Sequence, residues 1–537
     1  MKMVGTIYAL IPAILTILLV IITRRVILSL GVGVICAALI LSAFSIGDTI
    51  STLLITFSSL VIEEDGLYGF LNEWNMSIIF FLIALGIITG YIVLSGGATA
   101  FTKAIIRRVQ TREGVQYTAA ILGILIFVDD YFNALVVGNV SKPLAEAQKV
   151  SRARLAYIVD STSAPICVIS PISSWATGIM GSMAVILAGA GISYSAFSAF
   201  LMTIPYHFYV ITTLIMVFVV IRFNLNLGLM KKYEADTLQG SDSSIVGSEL
   251  SNPHEKDVES SKGTIWDLIL PILTLIIVTV GTMAITGIQG AQSVTDPEFN
   301  FFFTVLDNIA LSKALRYGGM AGLIVSMGLA YRHVLNKEVT LPDFLKAFMI
   351  GARSMFGAIG ILLLAWAICE LVGALDAGGY LASVITSTNI NPNFIPVVMF
   401  IVASFMAFST GTSWGSFGIL LPIAGSVAAA IDLNLMIPVM AAVLSGAIFG
   451  DHASPISDTT LLSATGSGCD LGAHFNSQLP YALLSAGIAA LGYMAFGVTG
   501  TLMTSYIVMA LGFALVIFYA RRQNVKKVEN LHLMPNE

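Results

Sequence analysis

Charge is what this chain has least of. Of its 537 residues only 11% are charged and 57% are hydrophobic, whereas a soluble domain carries about 25% charged residues. That scarcity excludes a soluble globular protein, and no nucleic-acid partner is expected. Cysteine is scarce as well. Cys36, Cys167, Cys369 and Cys469 are scattered without C-x-x-C spacing, which argues against a cysteine metal site and marks them as free thiols. No G-x-x-x-x-G-K-[ST] phosphate loop occurs, so nucleotide hydrolysis is not expected to drive the protein. The first apolar run lacks a small-residue cleavage site followed by a polar mature chain. It reads as a retained span and not as a signal peptide. The net charge of −5 is small and says little about partners.

What the chain has is apolar length. Runs near the length of a membrane span recur at 4–22, 26–46, 75–94, 195–221, 265–287 and 498–519, and a helix needs about 20 residues to cross the hydrocarbon core. The expected fold is an all-α polytopic membrane protein, embedded in the lipid bilayer of the cytoplasmic (inner) membrane. Basic residues cluster at Arg24–Arg25, Lys103 to Arg112, Arg222 with Lys231–Lys232, Arg332 with Lys337, and Arg521 to Lys527, while Glu63, Glu64, Asp65 and Glu73 form an acidic group. Lys and Arg in short loops favour the cytoplasmic side, which places the C-terminus and the polar stretch 222–263 inside. That stretch reads as a flexible cytoplasmic linker between two halves.

The halves resemble each other weakly. "FVDDYFNALVVGNVSKPLA" followed by "DSTSAPICVISPISS" in the first parallels "FSTGTSWGSFGILLPIA" followed by "GDHASPISDTT" in the second. Matching "DSTSAPI" to "DHASPI" pairs Asp160 with Asp451. The flanking spans approach and leave basic loops in opposite senses, the pattern of inverted repeats with interrupted helices. The expected organisation is N-terminal segments 1–74, a first repeat 75–221, the linker 222–263, connecting segments 264–343, a second repeat 344–519 and a tail 520–537. About 11 to 14 membrane segments are expected, discontinuous helices and hairpins included.

A helix broken inside the bilayer must line a pathway or be buried in protein, because its freed N–H and C=O groups find no water in hydrocarbon. Pro165, Pro171 and Pro455 are expected to force such breaks, and Gly411, Gly415 and Gly450 to permit them. The same stretches hold Asp129, Asp130, Asp160, Asp451 and Asp458. An acid at the centre of a membrane helix is costly and marks a functional candidate. Hard oxygen ligands suit small hard cations, and a buried carboxylate can hold a proton instead. Competition between the two is the minimal chemistry of an ion/proton antiporter.

Each candidate also has a plainer reading. Asp129 and Asp130 point about 100° apart on a helix, so one faces the pathway while the other caps or pairs with a neighbour. Asp160, Asp451 and Asp458 could be helix caps. Asn133, Thr412 and Ser413 could coordinate an ion or merely repair backbone hydrogen bonds. His452 is a ligand, a proton carrier or a satisfied core histidine. Glu370 lines the pathway or sits at the interface, and Arg353 reads as interfacial. "GTSWG" matches the G-x-S-x-G nucleophile elbow but lacks the strand-to-helix setting that motif needs. An intramembrane aspartyl protease and a channel both fit less well than a repeat with discontinuous helices.

"FVDDYFNALVVG", "SRARLAYIVDSTSAPICVISPISSW", "GTSWGSFGILLPI", "GDHASPISDTTLLSATGSGCD" and "SQLPYAL" closely resemble the NhaC-type sodium/proton antiporters of the ion transporter superfamily. The resemblance covers about 120 to 480. It implies Na+ (or Li+) exchange for H+, two inverted-topology repeats with re-entrant hairpins, and an elevator-type movement. Carried over by motif, the candidate ion site comprises Asp129, Asp130, Asn133, Asp160, Thr412, Ser413, Asp451, Ser454, Asp458 and Thr459. No cofactor is implied beyond the transported Na+ and H+, and a homodimer is admitted. Relatives such as malate/lactate antiporters keep a second reading open, a Na+- or H+-coupled carrier of a carboxylate or amino acid.

Overall fold

The computed structural model describes residues 3–23, 25–63, 71–97, 99–100, 109–192, 195–245, 262–292, 304–305, 308–376, 380, 391–455 and 457–532. Arg24, Glu64, Asp65, Lys103 and the second half of the linker lie outside these, as do the side chains of Cys369 and of the tail beyond Arg522. The described chain is helical throughout, apart from two isolated bridges. Nine helices among the described residues are long and apolar enough to cross a bilayer, or up to ten with one bent pair taken as a span. The larger expected number counted hairpin arms. One arm, Asp458–Ser467, has 10 residues, which rise about 15 Å against a hydrocarbon core of about 30 Å.

Three N-terminal helices, α1 (Ile11–Thr23), α2 (Val26–Leu41) and α3 (Ile46–Ser59), precede α4 (Glu73–Leu94). A unit of four follows: α5 (Arg112–Leu125), α6 (Asp130–Ala147), α7 (Arg152–Ile169) and α8 (Ser174–Gly189). Next come α9 (Ala196–Thr203), α10 (Phe208–Phe223), the linker helix α11 (Met230–Leu238), α12 (Ile265–Gln292), α13 (Leu311–Leu335), α14 (Leu341–Ser354) and α15 (Phe356–Ala374). A second unit of four is α16 (Ile395–Thr410), α17 (Ser413–Ile431), α18 (Met436–His452) and α19 (Asp458–Ser467), and α20 (Leu471–Thr499) and α21 (Leu502–His532) complete the chain. The apolar run 195–221 is not one straight span. Its two helical parts meet at 53°, where Pro205 is the middle residue of a short 3-10 turn, Ile204–Tyr206, and His207 leaves helical geometry at φ −76°, ψ 65°.

The two four-helix units are built alike. In each, the first break ends in an extended residue that caps the next helix: Asp129 (φ −154°, ψ 138°) before α6 and Thr412 (φ −147°, ψ 124°) before α17. The second break carries the same four residues, Ser-Pro-Ile-Ser, at 170–173 and 454–457. Ser173 and Ser457 then cap α8 and α19, accepting from the N–H groups of Ala176 and Thr460. The two breaks of each unit are joined by one matching hydrogen bond. The Ser174 N–H donates to the Val128 carbonyl (2.8 Å), and the Asp458 N–H donates to the Gly411 carbonyl (3.3 Å).

This register differs from the one read in sequence. Pro165 lies inside α7 and breaks nothing, while Pro171 and Pro455 both sit in breaks. Asp160 and Asp451 therefore do not hold matching positions: Asp160 is in the body of α7, and Asp451 is the penultimate residue of α18. Neither caps a helix. Small residues let the units interlock. A Cβ on Gly138 of α6 would come within 2.6 Å of the Gly466 backbone on α19, and one on Gly466 within 2.8 Å of the Ala134 carbonyl oxygen, the close approach that glycine permits between membrane helices.

The linker is only partly a tether. Its described half folds as α11 and docks on the start of α7, where helix geometry leaves the first N–H groups without partners. Glu234, which is buried, accepts from the Ser151 N–H (3.0 Å), Asp242 from the Arg152 N–H (2.9 Å), and the Ser244 hydroxyl from the Ala153 N–H (3.2 Å). Glu234 also pairs with Arg112, and lies 3.9 Å from the fully buried Arg154. The Ser244 carbonyl accepts from the Asp470 N–H at the start of α20 (2.8 Å), and Ile245 forms an antiparallel bridge with Cys469. Sequence reading took this stretch as flexible because its composition is polar. Its acids are instead neutralised by two arginines and a helix N-terminus.

Candidate functional site

The breaks gather around one small cavity. It is lined by Asp130, Tyr131, Trp175, Gly411, Thr412, Ser413, Trp414, Asp451, Asp458 and Thr459. The centre of a water-sized sphere can range over about 10 Å³ of it, roughly the room one water needs. The first residues of four helices face it, namely Asp130–Tyr131 of α6, Trp175 of α8, Ser413–Trp414 of α17 and Asp458–Thr459 of α19. Helix N-termini carry partial positive charge, and Asp129, Asp130 and Asp458 supply acids beside two of them. Trp175 and Trp414 stack edge to face, with ring centroids 5.6 Å apart, and wall the cavity with aromatic surface.

The five aspartates fall into three groups. Asp129 is fully engaged: Oδ1 accepts from the Phe132 N–H (3.0 Å) and Oδ2 from the Ser174 hydroxyl (3.0 Å). It caps α6 and ties the two breaks of the first unit. Asp160 is fully buried and the most heavily supplied with donors. Thr460 (3.1 Å), Ser463 (3.1 Å) and Gln478 (2.5 Å) donate to it, and His474 Nε2 lies 3.4 Å away. It does not line the cavity.

Asp130 and Asp451 are different. Both are buried and both line the cavity. Asp451 Oδ2 accepts from the Ser413 and Thr459 hydroxyls, each at 3.0 Å. No donor among the described residues reaches Asp451 Oδ1 or Asp130 Oδ2. A buried carboxylate oxygen without a partner costs more than the bond is worth, and a water, a proton or a cation in the cavity would each relieve that cost. Asp458 stands exposed at the rim, with the Tyr131 hydroxyl 3.4 Å from its Oδ2.

The other candidates divide between site and scaffold. Thr412 caps α17 and lines the cavity. Ser413 and Thr459 also line it and hold Asp451. Asn133 and Ser454 repair backbone instead. Asn133 donates to the Gly123 (2.6 Å) and Ile126 (2.8 Å) carbonyls at the end of α5, and Ser454 donates to the Phe408 carbonyl (2.8 Å). His452 is buried, its Nδ1 3.0 Å from the Tyr209 hydroxyl. Glu370 is exposed, 3.5 Å from the Ser59 hydroxyl, and Arg353 is exposed on α14. Among the described residues no three His, Cys, Asp or Glu side chains are grouped to hold a metal ion, so a cation here would also need hydroxyl or carbonyl oxygens. Sequence reading missed the aromatic wall and the Asp160 partners. The signal for the latter was Gln478, an amide inside the apolar stretch "SQLPYAL".

Comparison with known proteins adds to this geometry. The profile of the Na+/H+ antiporter family matches residues 166–498. An uncharacterized protein of Haemophilus influenzae is 38% identical over 97% of this chain and 96% of its own length. The Malate-2H(+)/Na(+)-lactate antiporter of Bacillus subtilis is 30% identical over 36% of this chain and 40% of its own. The crystal structure of the Alcanivorax borkumensis YdaH transporter superposes with a TM-score of 0.51 at 12% identity, covering 87% of this chain and 89% of that one, a likeness of fold alone.

Proposed function

This chain belongs to the Na+/H+ antiporter family, and on that premise we propose that it exchanges Na+, or Li+, for H+ across the cytoplasmic membrane, binding either at Asp130 and Asp451. It is a multi-pass membrane transporter. One observation carries the cation reading: two buried carboxylates share a cavity about the size of one water, and each keeps an oxygen that no described donor satisfies. Bare Na+ fits such a space. The hydroxyl oxygens of Thr412, Ser413 and Thr459 complete a hard-oxygen ligand set. Protonation of the carboxylates expels the cation, and deprotonation on the other side of the membrane readmits it.

The two four-helix units, with their shared Ser-Pro-Ile-Ser breaks, support assignment of two inverted repeats whose interface is this cavity. Movement of the units past the remaining helices, elevator fashion, would then expose the cavity to each side in turn, with the C-terminus cytoplasmic. Purified protein in proteoliposomes containing a pH-sensitive dye tests the exchange. Added Na+ or Li+ is expected to move protons in the opposite direction, and a dye signal indifferent to both ions overturns the reading.

The four helix N-termini at the cavity favour a second reading. They suit an anion, and the similarity to a malate and lactate exchanger points the same way. A carboxylate carried with Na+ or H+ would use them after the cavity widens. Counterflow with labelled hydroxy acids and amino acids separates the two readings.

A further inference from the structure

Asp160 is buried in the middle of a membrane helix, yet it does not line the cavity shared by Asp130 and Asp451. Its three donors come from two other helices. Thr460 and Ser463 lie three residues apart on α19 and so share one face of it. Gripping both fixes the rotation of this 10-residue helix about its axis. Thr459, about 100° around from Thr460, is thereby aimed at Asp451 Oδ2, 3.0 Å away.

The second arm runs through α20. Gln478 Nε2 donates to Asp160 Oδ2 (2.5 Å) and also to the His452 carbonyl (3.1 Å). His452 follows Asp451 at the end of α18, where helix geometry leaves carbonyls without partners. One amide nitrogen therefore holds the peptide beside Asp451 to the same carboxylate that orients Thr459.

We infer that Asp160 and Gln478 are positioning residues of the exchange site, setting the end of α18 and the start of α19 so that Asp451 and Thr459 meet across the cavity. This rests on the exchange proposed above, and it separates Asp160 from the residues that touch the ion. Asp160 acts as a fixed anion that organises donors. Gln478 works by offering two N–H bonds from one atom, which neither glutamate nor leucine can do.

Two isosteric variants test it, Asp160→Asn and Gln478→Glu, each compared with wild type in Na+-driven exchange and in labelling of Asp451 by a hydrophobic carbodiimide, read by mass spectrometry across a pH series. Both variants are expected to raise the half-saturating Na+ concentration about tenfold or more while the maximal rate changes much less, as loss of an outer partner does at metal sites. In Gln478→Glu the new carboxyl faces Asp160 and the His452 carbonyl. Its exchange is expected to survive only at lower pH, where that carboxyl is protonated and can donate, and Gln478→Leu should show no such recovery. The pH dependence of Asp451 labelling should shift in both variants whichever ion is carried. A wild type that labels at Asp451 but ignores Na+ contradicts the exchange reading alone, and the labelling shift then decides the positioning role. Unchanged half-saturation and unchanged labelling in Gln478→Glu, the variant that keeps Asp160 intact, overturn the inference even if Asp160→Asn fails to fold.

Discussion

Ser413 donates its hydroxyl to Asp451 Oδ2 across 3.0 Å, joining the first turn of α17 to the last turn of α18. Oδ1 of the same carboxylate, which belongs to a residue lining the cavity, is buried and makes no hydrogen bond among the described residues. The resulting asymmetry, one oxygen anchored and the other available, is what an exchange site needs: a fixed ligand that can take a proton or a cation.

Removing the available carboxylates should be decisive, and removing the engaged one should not. Asp130→Asn and Asp451→Asn are expected to lower exchange about 100-fold or more, since outer partners alone are worth about 10- to 100-fold at metal sites. Asp129→Asn should stay near wild type, because asparagine caps a helix about as well as aspartate. Asp129→Ala should cost about 0.5–2 kcal/mol of stability. Transport rates and thermal unfolding of the four variants check this.

Competition sets a sign for the pH dependence. Protons occupy the same carboxylates as Na+, so acid should weaken Na+ binding. Each unit fall in pH is expected to raise the half-saturating Na+ concentration about tenfold if one proton competes and about a hundredfold if two do. Initial rates over a grid of Na+ concentration and pH measure it. Half-saturation indifferent to pH would mean that proton and cation bind apart.

The docked linker should be part of the folded body. Glu234→Ala leaves Arg112, Arg154 and the Ser151 N–H without their acid, and is expected to cost about 3–5 kcal/mol, as breaking a buried ion pair does. Ile245→Cys should form a disulfide with Cys469. The two residues already face each other in an antiparallel bridge, and such pairs lie about 4.5–5.5 Å apart at Cα, within disulfide range. The cross-linked protein should transport normally. Activity lost on oxidation and restored by a reductant would show that the linker must leave.

Glycine at the crossing of α6 and α19 should be irreplaceable. Gly466→Val drives a side chain into the Ala134 carbonyl and is expected to cost at least about 1–3 kcal/mol, the usual price of overpacking. Yield and monodispersity in detergent report it, with Gly487→Val on α20, where a Cβ meets nothing within 4 Å, as the control.

Much of this was legible in the sequence. Long apolar runs announced the helices, and the polar breaks named all five aspartates. The roles of those aspartates were not legible. Asp129 and Asp130 are neighbours of one type, and only the cap to Phe132 and the Ser174 hydroxyl tell them apart. Asp160 looked like the counterpart of Asp451 because both precede a proline. Backbone hydrogen bonding instead aligns the two Ser-Pro-Ile-Ser breaks and puts Pro165 within a helix. Its partners Ser463 and Gln478 come more than 300 residues later, a distance that local pattern does not bridge. The linker misled for the opposite reason. Polarity read as disorder, while the acids were matched to a helix N-terminus that sequence does not display.

The central claim is that Na+ displaces protons from Asp130 and Asp451. Titrating Na+ into purified protein in weakly buffered detergent solution and following the pH of the medium tests it without any membrane gradient. Acidification that saturates with Na+, is reproduced by Li+ and is absent from the Asp130→Asn, Asp451→Asn double variant is the predicted result. Saturable Na+ binding with no proton release, or proton release that survives in the double variant, would contradict it.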